Sequence, residues 1–172
     1  MLLKRKKRPK RSITEYNLCD GPFLLELKMR EIKKIIVHCS MSDFGDAETI
    51  DRWHRERGFR CIGYHYVILN GCRKKGHYND KDDGVLEIGR PLEEIGAHCR
   101  GHNHDSVGIC LIGNHHFSIK QLKRLIQLIS FLRQDSRIGN VPVFGHRDFN
   151  PHKTCPNFNV QDLNLIFKEN RY

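Results

Sequence analysis

The feature that most constrains the fold is an alternation of short buried-strand runs with helical patterns. Residues 35–39 (IIVHC) form a β-branched run, and residues 106–113 (SVGICLIG) form an apolar run bounded by glycine. Both are too short for helices and read as strands in the interior of a sheet. Between and after them the period changes. Ala47, Ile50 and Trp53 recur at helical spacing and Gly58 stops the pattern, which predicts a helix near residues 46–57. Ser118 and Gln121 form a capping-box signature. Behind it Ile119, Leu122, Leu125, Ile126, Ile129 and Leu132 mark one face of a long helix running to about residue 134.

The remaining segments complete an α/β pattern. Residues 62–69 (IGYHYVIL) predict a strand, and the polar, turn-rich stretch 70–84 predicts a long hairpin connection to a strand at Val85–Ile88. Residues 96–105 read as a loop, Val141–Gly145 as a short last strand and Gln161–Lys168 as a terminal helix. The expected fold class is α/β: a single domain with a central mixed β-sheet flanked by helices, mixed because the hairpin joins antiparallel strands.

Charge divides the chain. Its 172 residues carry a formal net charge of +10, yet residues 1–34 hold 11 Lys/Arg against 4 Asp/Glu, while residues 35–172 hold 19 against 16. The expected organisation is a basic, partly flexible N-terminal leader over 1–34 and a near-neutral folded domain over 35–172. The cations of residues 1–11 read first as a solvated tail, then as an arm for an anionic polymer or membrane surface. A specific nucleic-acid partner is not expected, because neither aromatic interleaving nor a recognition helix accompanies them. No apolar stretch follows them that would serve as a secretory signal, and no run is long enough to span a bilayer. Seven cysteines without paired CxxC motifs read as reduced, mostly buried thiols.

Eleven histidines are a surplus, and two sit where α/β strands deliver functional side chains. His38 lies at the C-terminal end of the first strand, and His146 follows the last short strand. Cys155 comes nine residues later, before Pro156. Two histidines and one thiolate match the ligand count of a catalytic zinc site, which keeps its fourth position for water. The spacing also admits a plainer reading, with His38 a satisfied buried histidine and Cys155 a core thiol.

In order along the chain, IIVHCS, RWHRERGF, IGYHYVI, GAHCRGHNHDSVGICLIG and GHRDFNPHKTCPNF resemble the landmarks of zinc-dependent N-acetylmuramoyl-L-alanine amidases. The branch is that of the small phage lysozyme-type amidases and peptidoglycan recognition proteins, and the resemblance covers about residues 33–160. It implies a substrate groove on one face of the sheet and one Zn2+ per chain held by His38, His146 and Cys155. It also implies cleavage of the amide between N-acetylmuramic acid and L-alanine by a zinc-activated water. Tyr64 and Lys153 match its catalytic tyrosine and lysine, groups suited to stabilising a developing oxyanion. The related recycling amidases carry an aspartate as third ligand and a glutamate on the SVGICLIG strand. Cys155 and Cys110 stand there instead, which favours the phage-type branch.

Other residues carry weaker expectations. His65, His98, Asn103 and His104 are candidates for substrate contact. His54 is expected on the surface, His115 and His116 in an exposed turn, and Arg147 and Asp148 as supports for the His146 loop. The expected partners are peptidoglycan or muropeptides, with the chain a monomer made in the cytoplasm and acting on the wall once released or delivered. A non-catalytic muropeptide-binding module and a basic nucleic-acid-binding protein are the rival readings.

Overall fold

In a computed structural model that describes residues 30–163, the chain runs through β1 (Lys34–Cys39), α1 (Ala47–Glu56), β2 (Tyr66–Asn70), β3 (Asp83–Ile88), β4 (Ser106–Leu111), α2 (Ile119–Gln134) and β5 (Val143–Gly145). A 3-10 turn, His146–Asp148, follows β5 directly. The expected leader up to residue 29 and the terminal helix beyond residue 163 lie outside the described residues. Arg30 to Lys34 belong to the packed body: Ile32 is buried in the core and Lys34 opens β1.

The five strands form one sheet in the order β3-β2-β4-β1-β5. β1 is parallel to both β4 and β5, β4 is parallel to β2, and β3 pairs antiparallel with β2. The sheet is mixed for the reason expected: β2 and β3 are joined by a hairpin. Within its connection Arg73 ion-pairs with Asp46, Asp82 and Glu87, which ties the connection to the start of α1.

Alternation along the strands sends side chains to two faces. Ile35 and Val37 of β1 join Val107, Ile109 and Leu111 of β4 against Leu125, Leu128, Ile129 and Leu132 of α2. Cys110, Val67 and Leu69 pack on the opposite face with Ile50 of α1. Asp46 caps α1 by accepting the Thr49 N–H at 2.8 Å, and the capping box of α2 forms between Ser118 and Gln121.

Three expectations are corrected. β2 begins at Tyr66, not at residue 62; the preceding residues are irregular, although the His65 N–H donates to the Gly108 carbonyl. β5 begins at Val143, not at residue 141. Ile119 does not face the core: it is 72% exposed, whereas Gln121 is fully buried. The Gln121 amide donates to the carbonyls of Ile68 and Ile112, so the buried polar group is satisfied and links α2 to the sheet.

Candidate metal centre and cleft

Because β1 and β5 run parallel, their C-terminal ends lie on the same edge of the sheet. His38, the penultimate residue of β1, and His146, the residue after β5, therefore converge, with ring centroids 4.7 Å apart. The chain then loops back to bring in Cys155. The Arg147 N–H donates to the Cys155 carbonyl at 2.9 Å, and the Cys39 N–H donates to Cys155 Sγ at 3.1 Å. Asp148 accepts the Gly145 N–H, and the Arg147 guanidinium donates to the Phe158 carbonyl. These two side chains hold the backbone around His146, as expected of supports.

One donor atom from each of His38, His146 and Cys155 lies within 4.8 Å of the others. His38 Nδ1 is the one buried side-chain nitrogen or oxygen among the described residues that lacks a hydrogen-bond partner. An unsatisfied buried polar atom costs about 1–3 kcal/mol, and a cation held between these donors would remove that cost. Two imidazoles and a thiolate are a donor set that suits zinc.

The electrostatics agree with ligand character. Burial first, and then the neighbouring His98 and His146, hold His38 well below the usual histidine range. Burial, followed by the Lys153 charge, lowers His146 as well. Both rings thus favour the neutral form that binds metals. The hydrogen bond with Cys39, and then burial, push the Cys155 thiol up. A dication beside it would favour the thiolate.

This cluster opens into a cleft of about 630 Å³ lined by Tyr64, His54, His98, Arg57, Lys153 and His152, among others. Such a volume is ordinary for a substrate site. The Tyr64 ring stands 5.1 Å from that of His38, and burial pushes its phenol well above its ordinary value. Lys153 is exposed at the rim.

The other expected contacts divide. Only His98 lines the cleft. His65 points away from it: the ring is fully buried, Nδ1 accepts the Gly108 N–H at 2.9 Å, and Nε2 lies 3.1 Å from the Glu94 carbonyl. Asn103 Oδ1 accepts the backbone N–H groups of His98 and Cys99, so its amide oxygen serves the loop. His104 is exposed and stands outside the cleft lining. His54, expected on the surface, is buried and accepts the Gly63 N–H at Nδ1 while lining the cleft beside Tyr64. Its position four residues after Ile50 was the available signal, since that spacing puts both on one helix face.

A mixed sheet that delivers two histidines and a thiol to one open cleft defines a class, the α/β proteins with three potential metal donors gathered at a cleft. The model of one family, N-acetylmuramoyl-L-alanine amidase, matches residues 28–158. An endolysin of Klebsiella phage KP32 is 32% identical over 146 residues, covering 78% of this chain and 86% of that protein. Among solved structures, the N-acetylmuramoyl-L-alanine amidase LysC from Clostridium intestinale superposes with a TM-score of 0.68 at 25% identity, over 81% of this chain and 87% of that one. Wild-type Drosophila PGRP-LB matches at 0.59 and 25%, over 74% and 76%. The chain belongs to the N-acetylmuramoyl-L-alanine amidase family.

Proposed function

We propose that this amidase hydrolyses the bond between N-acetylmuramic acid and the L-alanine of the stem peptide in peptidoglycan, using one zinc ion held by His38 Nδ1, His146 and Cys155 Sγ. The observation that carries the reading is the convergence of the three donor atoms within 4.8 Å, with His38 Nδ1 lacking any other partner. Bound there, zinc supplies Lewis acidity and a nucleophilic water at neutral pH.

The side chains supply the rest. Tyr64 stays protonated because burial disfavours the phenolate, so its O–H donates to the carbonyl oxygen as negative charge develops. Lys153 places an ammonium at the same rim and offers a proton to the leaving amine. His38, His146, Cys155, Tyr64 and Lys153 all come to the cleft from one chain, which supports action as a monomer. The endolysin relatives support action on the cell wall. Among the described residues no helix is long and apolar enough to cross a membrane.

Zinc content and stem-peptide release, measured together on purified protein, test the assignment. The intact chain should carry one zinc and release peptide, and Cys155→Ala should lose both. A Cys155→Ala variant that releases stem peptide at the normal rate would refute the site.

A further inference from the structure

His38 Nε2 and His98 Nδ1 are 3.0 Å apart, so only one of these nitrogens carries the shared proton. Which one does so follows from the far side of His98. There Nε2 lies 3.4 Å from Ser106 Oγ, and the Ser106 hydroxyl donates to the His102 carbonyl at 2.5 Å. A carbonyl only accepts, so the single hydroxyl proton of Ser106 is committed to His102. Ser106 Oγ can then only accept from His98, which places a proton on His98 Nε2. Both rings are buried, and a His98 ring with its single proton on Nε2 has both nitrogens matched, one as donor to Ser106 and the other as an acceptor facing His38. His98 Nδ1 is therefore bare and accepts from His38 Nε2–H. The lone pair of His38 is thereby left on Nδ1, the atom that has no other partner.

The seat of His98 is shaped for this contact. A Cβ on Gly108 would stand 2.5 Å from His98 Cδ2 and 2.6 Å from its Cγ, and a Cβ on Gly96 would stand 2.5 Å from the same Cδ2. Any side chain at either position would displace the ring. Asn103 pins the loop from below through its two backbone hydrogen bonds.

We infer that His98 is a positioning residue for the metal centre: with Ser106 and the His102 carbonyl it orders the protons so that His38 presents a bare Nδ1 to the ion. This deepens the zinc reading and rests on it. His98 lines the cleft, but its ring nitrogens face His38 and Ser106, so its work is done through His38.

Two measurements test the inference. Nitrogen-15 NMR of the metal-free and zinc-loaded chain should show His38 and His98 both protonated at Nε2; a His98 proton on Nδ1 in both states would overturn it. Zinc affinity by chelator competition should fall about 10- to 100-fold in His98→Leu, in the range found for groups that orient a metal-ligating histidine. It should recover in His98→Asn, whose amide oxygen can take the place of Nδ1, and it should also fall in Gly108→Ala, which touches no ligand. His98→Leu with unchanged zinc affinity would refute the role. An intact chain that binds no zinc would instead refute the zinc reading, while the NMR result would still decide the proton order. Should His98→Leu fail to fold, Ser106→Ala and the NMR of the unaltered chain keep the test open.

Discussion

The two faces of the sheet do opposite things with the same strands. Under α2, β1 and β4 contribute Ile35, Val37, Val107, Ile109 and Leu111 to an apolar layer. Its polar intruder, Gln121, has its amide donors satisfied by two carbonyls. On the other face the alternate positions read Ile36, His38, Gly108 and Cys110. Towards the C-terminal edge, imidazole and phenol rings replace aliphatic filling, with His98 and Tyr64 both within ring-contact range of His38. The α2 face can be optimised for packing alone. The other face leaves a buried nitrogen unpaired and gives up two Cβ atoms to seat one ring. The comparison teaches that stability and chemistry are separated by the pleat of single strands, because neighbouring residues such as Val37 and His38 serve different faces.

That separation can be broken from either side. The largest effect is expected at Tyr64→Phe, which removes one hydrogen-bond donor to the developing oxyanion. Turnover should fall about 100- to 1,000-fold with zinc content unchanged, and steady-state kinetics beside metal analysis check both. Ile129→Ala acts on the other face. It empties part of the layer under α2 and should cost about 2–5 kcal/mol by denaturant unfolding, while the remaining folded protein binds zinc normally. A loss of zinc affinity matching the loss of stability would show that the faces are coupled.

A smaller effect concerns pH. Burial pulls His65 down to about 4. As pH drops below the ordinary histidine value of about 6.5, the unfolded chain takes up a proton that the folded chain refuses. Stability should therefore decline between about pH 6.5 and 4, by at most about 3 kcal/mol from this group. Asn in place of His65 can still accept the Gly108 N–H, so His65→Asn should flatten that decline in thermal melts.

Much of this was legible in the sequence because it follows from period and position. β1, α1, β4 and α2 fall within a residue or two of the patterns that mark them. His38 and His146 were recognisable because strand ends deliver side chains to one edge, and Cys155 by its place in the resembled GHRDFNPHKTCP segment. What escaped depends on partners distant in sequence. His65 alternates with Tyr64 as a strand residue should, but only the fold reveals that Gly108 and Glu94 engage its ring nitrogens. Ile119 fits the apolar face of α2 by spacing but lies in the first turn, exposed, whereas Gln121 is drawn inward by carbonyls of β2 and of the residue after β4. His98 does line the cleft, but what its ring nitrogens engage was not legible. Its partners, His38 and Ser106, lie 60 and 8 residues away.

The central claim is that amide cleavage depends on zinc at His38, His146 and Cys155. Mass spectrometry of peptidoglycan digested by the intact protein, before and after zinc removal by a chelator and again after zinc is restored, tests it most directly. The account predicts stem peptides with a free L-alanine amine in the first digest, none in the second, and their return in the third. Undiminished release of those peptides from the verified zinc-free protein would contradict it.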